Sequence, residues 1–341
     1  MPVFNGERFI GEAIDSVLRQ TFADLELIIV DDGSTDRTAD IVASRSKIDS
    51  RIVSHRLPSN QGLVAARNAC AELARGEFLA VLDADDVSLP HRLERQVAFL
   101  QSHSEIGVLG ASVQLVDDSG KLGRLKTFPL RPGLVAWSMV FFNGLAHSAV
   151  VMRRATWEAA GRYAPEMKHG AEDYDLFVRA MQIARLENLP DVLVRYRTWP
   201  GNTSARAWDR LEENSSTIVK RLAESLAART VSREEVAALR GLARDDYPQS
   251  RDLIRGLAGL IGAMSARFIE QPWLDARDRA AVRSDAAVKL WLLGALAARR
   301  DPRMAAELAL IATRISPTSV LRFATKALRR LSPQIGSSAQ S

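Results

Sequence analysis

The chain has 341 residues, 47% hydrophobic and 26% charged, a balance that excludes disordered and collagen-like chains and suits one large or two smaller globular domains. With 46 basic and 41 acidic residues the formal charge is only +5, too small an excess over this length to point to a nucleic-acid partner. The single cysteine, Cys70, excludes an intrachain disulfide framework and a cysteine-based zinc site, and it fits a reducing compartment.

The opening "MPVFNGERFIGEA" has no basic segment followed by an apolar one, so it does not read as a signal peptide. No apolar run reaches the ~18 residues needed to span a bilayer. The most apolar patches, near 257–264 and 287–298, are short or broken by charge. A cytoplasmic protein is the expectation.

Phe9, Ile10, Ala13, Ile14, Val17 and Leu18 share one face at helical spacing. "LELIIV" (25–30) is short, apolar and rich in β-branched residues, which predicts a buried parallel strand. "RIVSH" (51–55) and "EFLAVL" (77–82) read the same way, with helices predicted over 35–44 and 63–75 between them. This alternation predicts right-handed βαβ units in a mostly parallel sheet flanked by helices. Ligands of such sheets sit at the carboxyl ends of the strands, where Asp31, Asp32, Asp83, Asp85 and Asp86 fall.

From 106 to 200 the pattern is mixed. "IGVLGASVQLV", "HSAVVMR" and "DVLVRYR" predict strands. "EDYDLFVRAMQIA" predicts a helix, with Leu176, Phe177, Ala180 and Ile183 on one side. From 206 the chain turns rich in Ala, Leu and Arg, with helical periodicity broken at Pro248, Pro272, Pro302 and Pro317. The expected organisation is an α/β domain over 1–205, a helical appendage over 206–332 and a frayed tail at 333–341. "SVLRFATKALRRL" (319–331) is apolar on one face and basic elsewhere; it suits a packing helix with a solvated basic side, or a peripheral contact with an anionic membrane surface.

Three carboxylate clusters carry chemistry. In "VDDGSTD" (30–36), Gly33 permits a tight turn, and Ser34 or Thr35 can cap the next helix. A joint of that kind does not need Asp31 and Asp32 side by side; such carboxylates can accept hydrogen bonds from a nucleobase or a ribose. In "DADD" (83–86), one carboxylate would suffice to favour a helix start by ~0.3–1 kcal/mol, and three repel one another. A divalent cation removes that conflict. Mg²⁺ and Mn²⁺ favour oxygen ligands and are commonly shared with phosphates. Alternate side chains of an extended segment point the same way, so Asp83 and Asp85 can converge. In "HGAEDYDLFVRA" (169–180), matching of the helix dipole competes for Glu172 and Asp175, while one carboxylate of the cluster can act as a general base.

In this order, the clusters resemble a family 2 glycosyltransferase of the GT-A fold. The resemblance covers roughly 1–204 and rests on "PVFNGERFIGEAIDSVLRQT", "ELIIVDDGSTD", "NQGLVAARNACAELARGEFLAVLDADD", "HSAVVMRR" and "AEDYDLFVRA". It implies an inverting transfer from a nucleotide sugar, usually a UDP-sugar, to a hydroxyl of a glycan or lipid-linked acceptor in envelope or extracellular polysaccharide synthesis. It implies that Asp32 binds the base with Asp31 in support, that Asp83 lies near the ribose or the metal, and that Asp85 ligates Mg²⁺ or Mn²⁺. It implies Asp173 as the general base, with Glu172 beside it orienting the acceptor. Asn60, Gly62 and Arg67 match the family's loop before the third helix; a surface cation is the alternative for Arg67. His147 matches a family histidine, with a structural role as its alternative, and Arg153 and Arg154 suit either phosphate or solvent. His169 is a neighbour of the base or a loop residue.

Two departures stand out. The family's first strand carries several apolar residues before "P-V-F-N-G", whereas this chain begins Met1-Pro2-Val3; the expectation is a start upstream or a gap in the sheet. The family's "Y-R-x-H" is "YRTW" here, so Trp199 replaces a histidine. Indole has no metal-binding lone pair, which puts a third ligand in doubt and leaves stacking on a sugar or base as a use for Trp199. Two rival functions are a sugar nucleotidyltransferase and a non-catalytic sugar-nucleotide-binding or scaffold protein. The first lacks a Gly-rich basic loop near the N-terminus; the second has no need of "AEDYD".

Overall fold

The computed structural model describes residues 1–320 except 168, 169, 245 and 299. His169, the tail at 333–341 and all but the start of 319–331 therefore lie outside the described residues. In chain order the first half runs β1 (Pro2–Val3), α1 (Ile10–Leu18), β2 (Leu27–Asp31), α2 (Thr38–Ser46), β3 (Ile52–Arg56), α3 (Leu63–Leu73) and β4 (Phe78–Ala80). β2 is buried along its whole length, as its unbroken apolar run requires. Its alternating side chains serve two cores. Leu27 and Ile29 join Ile10, Ala13 and Ile14 of α1; Ile28 and Val30 join Ala66 and Cys70 of α3.

β1, β2 and β3 form a parallel sheet, with Val3 opposite Asp31 and Leu27 opposite Ile52. The expected parallel sheet does not continue into the 77–82 strand. β4 belongs to a second sheet, ordered β4-β8-β6-β9-β5, and pairs antiparallel with β8. β1 supplies only two residues along β2, and the Met1 amine donates to the Ile28 carbonyl at 2.8 Å. Between the edges of β2 and β4 lies a cavity of about 700 Å³ lined by Leu27, Ile28, Cys70, Phe78, Leu79 and Ala80, among others.

The second sheet uses β5 (Val87–Ser88), α4 (Arg92–Ser102), β6 (Ile106–Val116), β7 (Leu122–Lys126), α5 (Pro132–Ser138), β8 (Val151–Arg153), α6 (Arg154–Ala159), α7 (Glu172–Ala180) and β9 (Arg185–Arg197). β6 and β9 run parallel over most of their length, and β7 pairs with the outer part of β6. "HSAVVMR" divides into a 3₁₀ turn at His147–Ala149 and the short β8. β9 ends at Arg197, the residue whose backbone amide reaches Asp86.

Two units are distinct in the chain: Met1–Met139 with Asn143–Ile218, and Val140–Phe142 with the residues from Val219 onward. In the first, α8 (Thr203–Arg206) follows β9 and α9 (Trp208–Ala227) begins. In the second, α10 (Arg233–Arg244), α11 (Arg251–Phe268), α12 (Ala276–Ala297) and α13 (Pro302–Ile315) bury Leu257, Leu260, Ile261, Met264, Leu290 and Leu293. The prolines stand where helices change. Pro248 precedes α11, Pro272 separates α11 from α12, and Pro302 opens α13 behind the Asp301 cap, whose side chain accepts from Met304 N. Among the described residues no helix is long and apolar enough to cross a membrane.

Candidate active site

The carboxyl end of β2 carries the first cluster. Asp31 Oδ1 accepts from Ser34 N at 2.9 Å, and Arg56 Nε lies 3.5 Å from Oδ2. Asp32 accepts from two backbone amides of the next loop, Gln61 N at 2.7 Å and Gly62 N at 2.9 Å. Gly33 adopts φ +75°, and a Cβ there would stand 2.8 Å from the carbonyl carbon of Ser59. "DDG" thus ties the Ser59–Gly62 loop to the strand end. The structure brings Gly62 to Asp32 and leaves the Asn60 residue exposed beside them. Each Asp32 oxygen retains a further lone pair for a ligand.

Arg67 is not a surface cation. It is buried on α3; its Nη2 donates to Asp83 Oδ1 at 2.9 Å and its Nη1 meets Glu172. One guanidinium therefore joins the second and third clusters. Burial raises the cost of a charge on Asp83, but the adjacent Arg67 outweighs it and holds the carboxyl down at about 2. Glu172, expected beside the acceptor, is buried and turned onto the Arg67 guanidinium.

Asp85 lies two positions on. Its Oδ2 accepts from Trp199 Nε1 at 2.9 Å and from Asn202 Nδ2 at 2.8 Å, and its backbone carbonyl accepts from Arg197 Nε at 2.8 Å. Burial, with the neighbouring charge of Asp83, pushes the Asp85 carboxyl up. Asp86 does not cap a helix. Val87–Ser88 form β5, and α4 starts only at Arg92. Asp86 is fully buried, and its Oδ1 accepts from Arg197 N at 2.7 Å. Burial and the charges of Asp85 and Asp83 push it well above the carboxylate range.

α7 begins after two left-handed residues, Gly170 at φ +116° and Ala171 at φ +66°. Asp173, in its first turn, accepts from its neighbour Tyr174 N at 2.8 Å and from Asn143 Nδ2 at 2.9 Å. Burial raises its pKa, Asp83 adds to the rise, and Arg67 opposes it. Asp175 is engaged elsewhere, accepting from Arg179 Nε at 2.7 Å along the same helix.

Other candidates are structural. His147 is buried, its Nε2 lying 2.9 Å from the Tyr163 hydroxyl, and burial beside Arg67 drives its pKa down to about 3, so the ring is neutral. Arg153 donates to the Ile106 carbonyl and Arg154 to the carbonyls of Ala71, Ala74 and Gly76, so both half-buried guanidinium groups are engaged with the backbone. Asn143 and Asn202 were not singled out from sequence, and no local pattern marks them; each acts on a carboxylate far along the chain.

Asp83 and Asp85 present hard oxygen donors in a crowd of negative charge, the donor class that Mg²⁺ and Mn²⁺ take. Among the described residues no group of three or more His, Cys, Asp or Glu is placed to hold a metal. Two carboxylates are the number with which Mg²⁺ is commonly held together with a ligand's phosphates, so Asp83 and Asp85 fit a cation of that kind.

Residues 1–157 match the family described as Glycosyl transferase family 2. The chain is 33% identical over 201 residues to the putative glycosyltransferase EpsE of Bacillus subtilis, covering 58% of this chain and 71% of that one. It is 33% identical over 189 residues to the amylovoran biosynthesis glycosyltransferase AmsE of Erwinia amylovora, covering 55% and 70%. Among solved structures it is similar to S. aureus TarS 1–349 in complex with UDP-GlcNAc, with TM-score 0.55 and 19% identity over 94% of this chain and 90% of that one. At that identity the likeness shows the fold, which is GT-A.

Proposed function

The chain belongs to glycosyl transferase family 2, and from that premise we propose that it moves a sugar from a UDP-sugar to a hydroxyl of a glycan or lipid-linked acceptor, with inversion. AmsE is named for amylovoran biosynthesis, and the S. aureus TarS structure holds UDP-GlcNAc. Those names support a place in envelope or extracellular polysaccharide assembly.

The observation that carries this reading is the position of Arg67 between Asp83 and Glu172. It sets the carboxylates suited to a donor diphosphate and the start of α7 in one buried network. Asp32, which holds the Gln61–Gly62 loop, binds the base, with Asp31 in support at the Ser34 turn. Asp83 and Asp85 face the diphosphate. A Mg²⁺ or Mn²⁺ ion held there supplies Lewis-acid stabilisation of the departing UDP. Asp173, kept in place by Asn143, accepts the proton of the acceptor hydroxyl as its oxygen attacks the anomeric carbon. A single displacement without a covalent intermediate inverts that carbon.

The test is release of UDP from a panel of UDP-sugars with Mn²⁺, in the presence and absence of EDTA and with glycan and lipid-linked acceptors. UDP release that needs both cation and acceptor is expected. A protein that binds UDP yet releases none from any donor would instead be a binding or scaffold module.

A further inference from the structure

Beyond Arg197 the chain turns sharply through Thr198-Trp199-Pro200-Gly201-Asn202. The turn is closed by Asn202, whose Oδ1 accepts from Trp199 N at 2.5 Å. Both ends of it then point at one oxygen. Trp199 Nε1 and Asn202 Nδ2 each donate to Asp85 Oδ2, and Arg197, at the head of the turn, donates to the Asp85 backbone carbonyl. Phe9 packs against the indole edge-to-face with ring centroids 5.3 Å apart. Gly201 makes the fold-back feasible: a Cβ at that position would stand 2.0 Å from the Trp199 ring. Arg197, Trp199 and Asn202 thus grip one side chain and its backbone from 112, 114 and 117 positions away.

Indole nitrogen is a donor only, so Trp199 acts on Asp85 and not on a cation. With Oδ2 occupied by two N–H groups, Oδ1 is the oxygen left to a ligand. We propose that Trp199, Gly201 and Asn202 form a clamp that fixes the Asp85 rotamer and makes this carboxylate a one-oxygen ligand for a divalent cation carried with UDP. The clamp rests on the cation reading of Asp83 and Asp85. Trp199, Gly201 and Asn202 are positioning residues: Trp199 and Asn202 touch Asp85, Gly201 leaves room for the indole, and Asp85 touches the ligand. Partners that orient a metal ligand from behind typically contribute about 10–100-fold to metal affinity.

Mn²⁺ binding is read directly by electron paramagnetic resonance in the presence of saturating UDP, with UDP binding in EDTA and the melting temperature measured in parallel. Trp199→Phe keeps the aromatic packing on Phe9 and removes the N–H. It should weaken Mn²⁺ binding by about tenfold or more while UDP binding in EDTA and the melting temperature stay at native values. Gly201→Ala keeps every donor but displaces the indole, so it should weaken Mn²⁺ binding in the same way, and it decides the matter should Trp199→Phe fail to fold. Native Mn²⁺ affinity in both variants overturns the clamp and leaves the cation reading standing. Loss of cation-free UDP binding in parallel with Mn²⁺ binding also overturns it, because the turn would then hold the fold and not the ligand. No Mn²⁺ uptake by the native protein with UDP overturns the cation reading and the clamp with it.

Discussion

Arg67 Nη2 donates to Asp83 Oδ1 across 2.9 Å from within a buried helix, and the other arm of the same guanidinium meets Glu172. A cation that serves two carboxylates in this way cannot be removed without stranding both.

Arg67→Met should therefore destabilise the protein by about 3–5 kcal/mol, the usual cost of leaving a buried charge unpaired. Arg67→Lys should recover part of that loss and little activity, since a point charge cannot reach both partners as a planar fork does. Urea denaturation midpoints check the first statement and UDP release the second.

Asp173→Asn should bind UDP as the native protein does and lose transfer by about 10²–10⁴-fold, the range for removal of a general base. Asn143→Ala, which frees Asp173 from its hydrogen bond, should lose less. Single-turnover UDP release beside UDP calorimetry separates the two effects, and a fully active Asp173→Asn would end the assignment of the base.

The two ends of the "DADD" cluster should show opposite pH signatures in the cation-free protein. Asp83 has a folded pKa of about 2, below the ordinary 3.8, so its stabilisation is present above 3.8 and lost as pH falls toward 2. Asp86 has a raised folded pKa, so the folded state binds the proton better and Asp86 destabilises progressively as pH rises above 3.8. Asp86→Asn should raise the melting temperature at pH 8 and leave it unchanged near pH 3. Asp83→Asn should lower it at pH 8, with the difference vanishing below about pH 2.

Gly33→Ala places a side chain in the left-handed region and against the Ser59–Asn60 backbone. The conformational cost alone is about 1–2 kcal/mol. The Gln61 and Gly62 amides should also be drawn off Asp32, so UDP affinity should fall with stability; calorimetry and thermal melting of the same preparation report both.

β2 was legible because its unbroken apolar run admits only an element buried on both faces, and both faces proved covered. α7 was legible from the spacing of Leu176, Phe177 and Ala180, but it ends at Ala180 and leaves Ile183, expected on the same side, exposed. The pairing of β4 was not, because its partner β8 lies some seventy positions on and no local pattern encodes antiparallel registry. Nothing local marked Asp86 as a strand tether: β5 at Val87–Ser88 separates it from α4, and its partner Arg197 lies 111 positions away. Trp199 was visible as a departure from the family pattern, yet its hydrogen bond to Asp85 depends on a turn whose closure rests on Gly201 and Asn202.

The shared guanidinium has a thermodynamic consequence. The charge of Asp83 raises the pKa of Asp173, and Arg67 lowers it. A cation that neutralises Asp83 would remove the first influence and free more of Arg67 for the second, so a donor carrying one is expected to make Asp173 give up its proton more readily. Linkage is reciprocal: an ionised Asp173 tightens the donor's cation by the same factor. The pH at which Asp173 ionises is then expected to be lower in the donor-loaded complex than in the free protein, which a pH titration with and without UDP and Mn²⁺ checks.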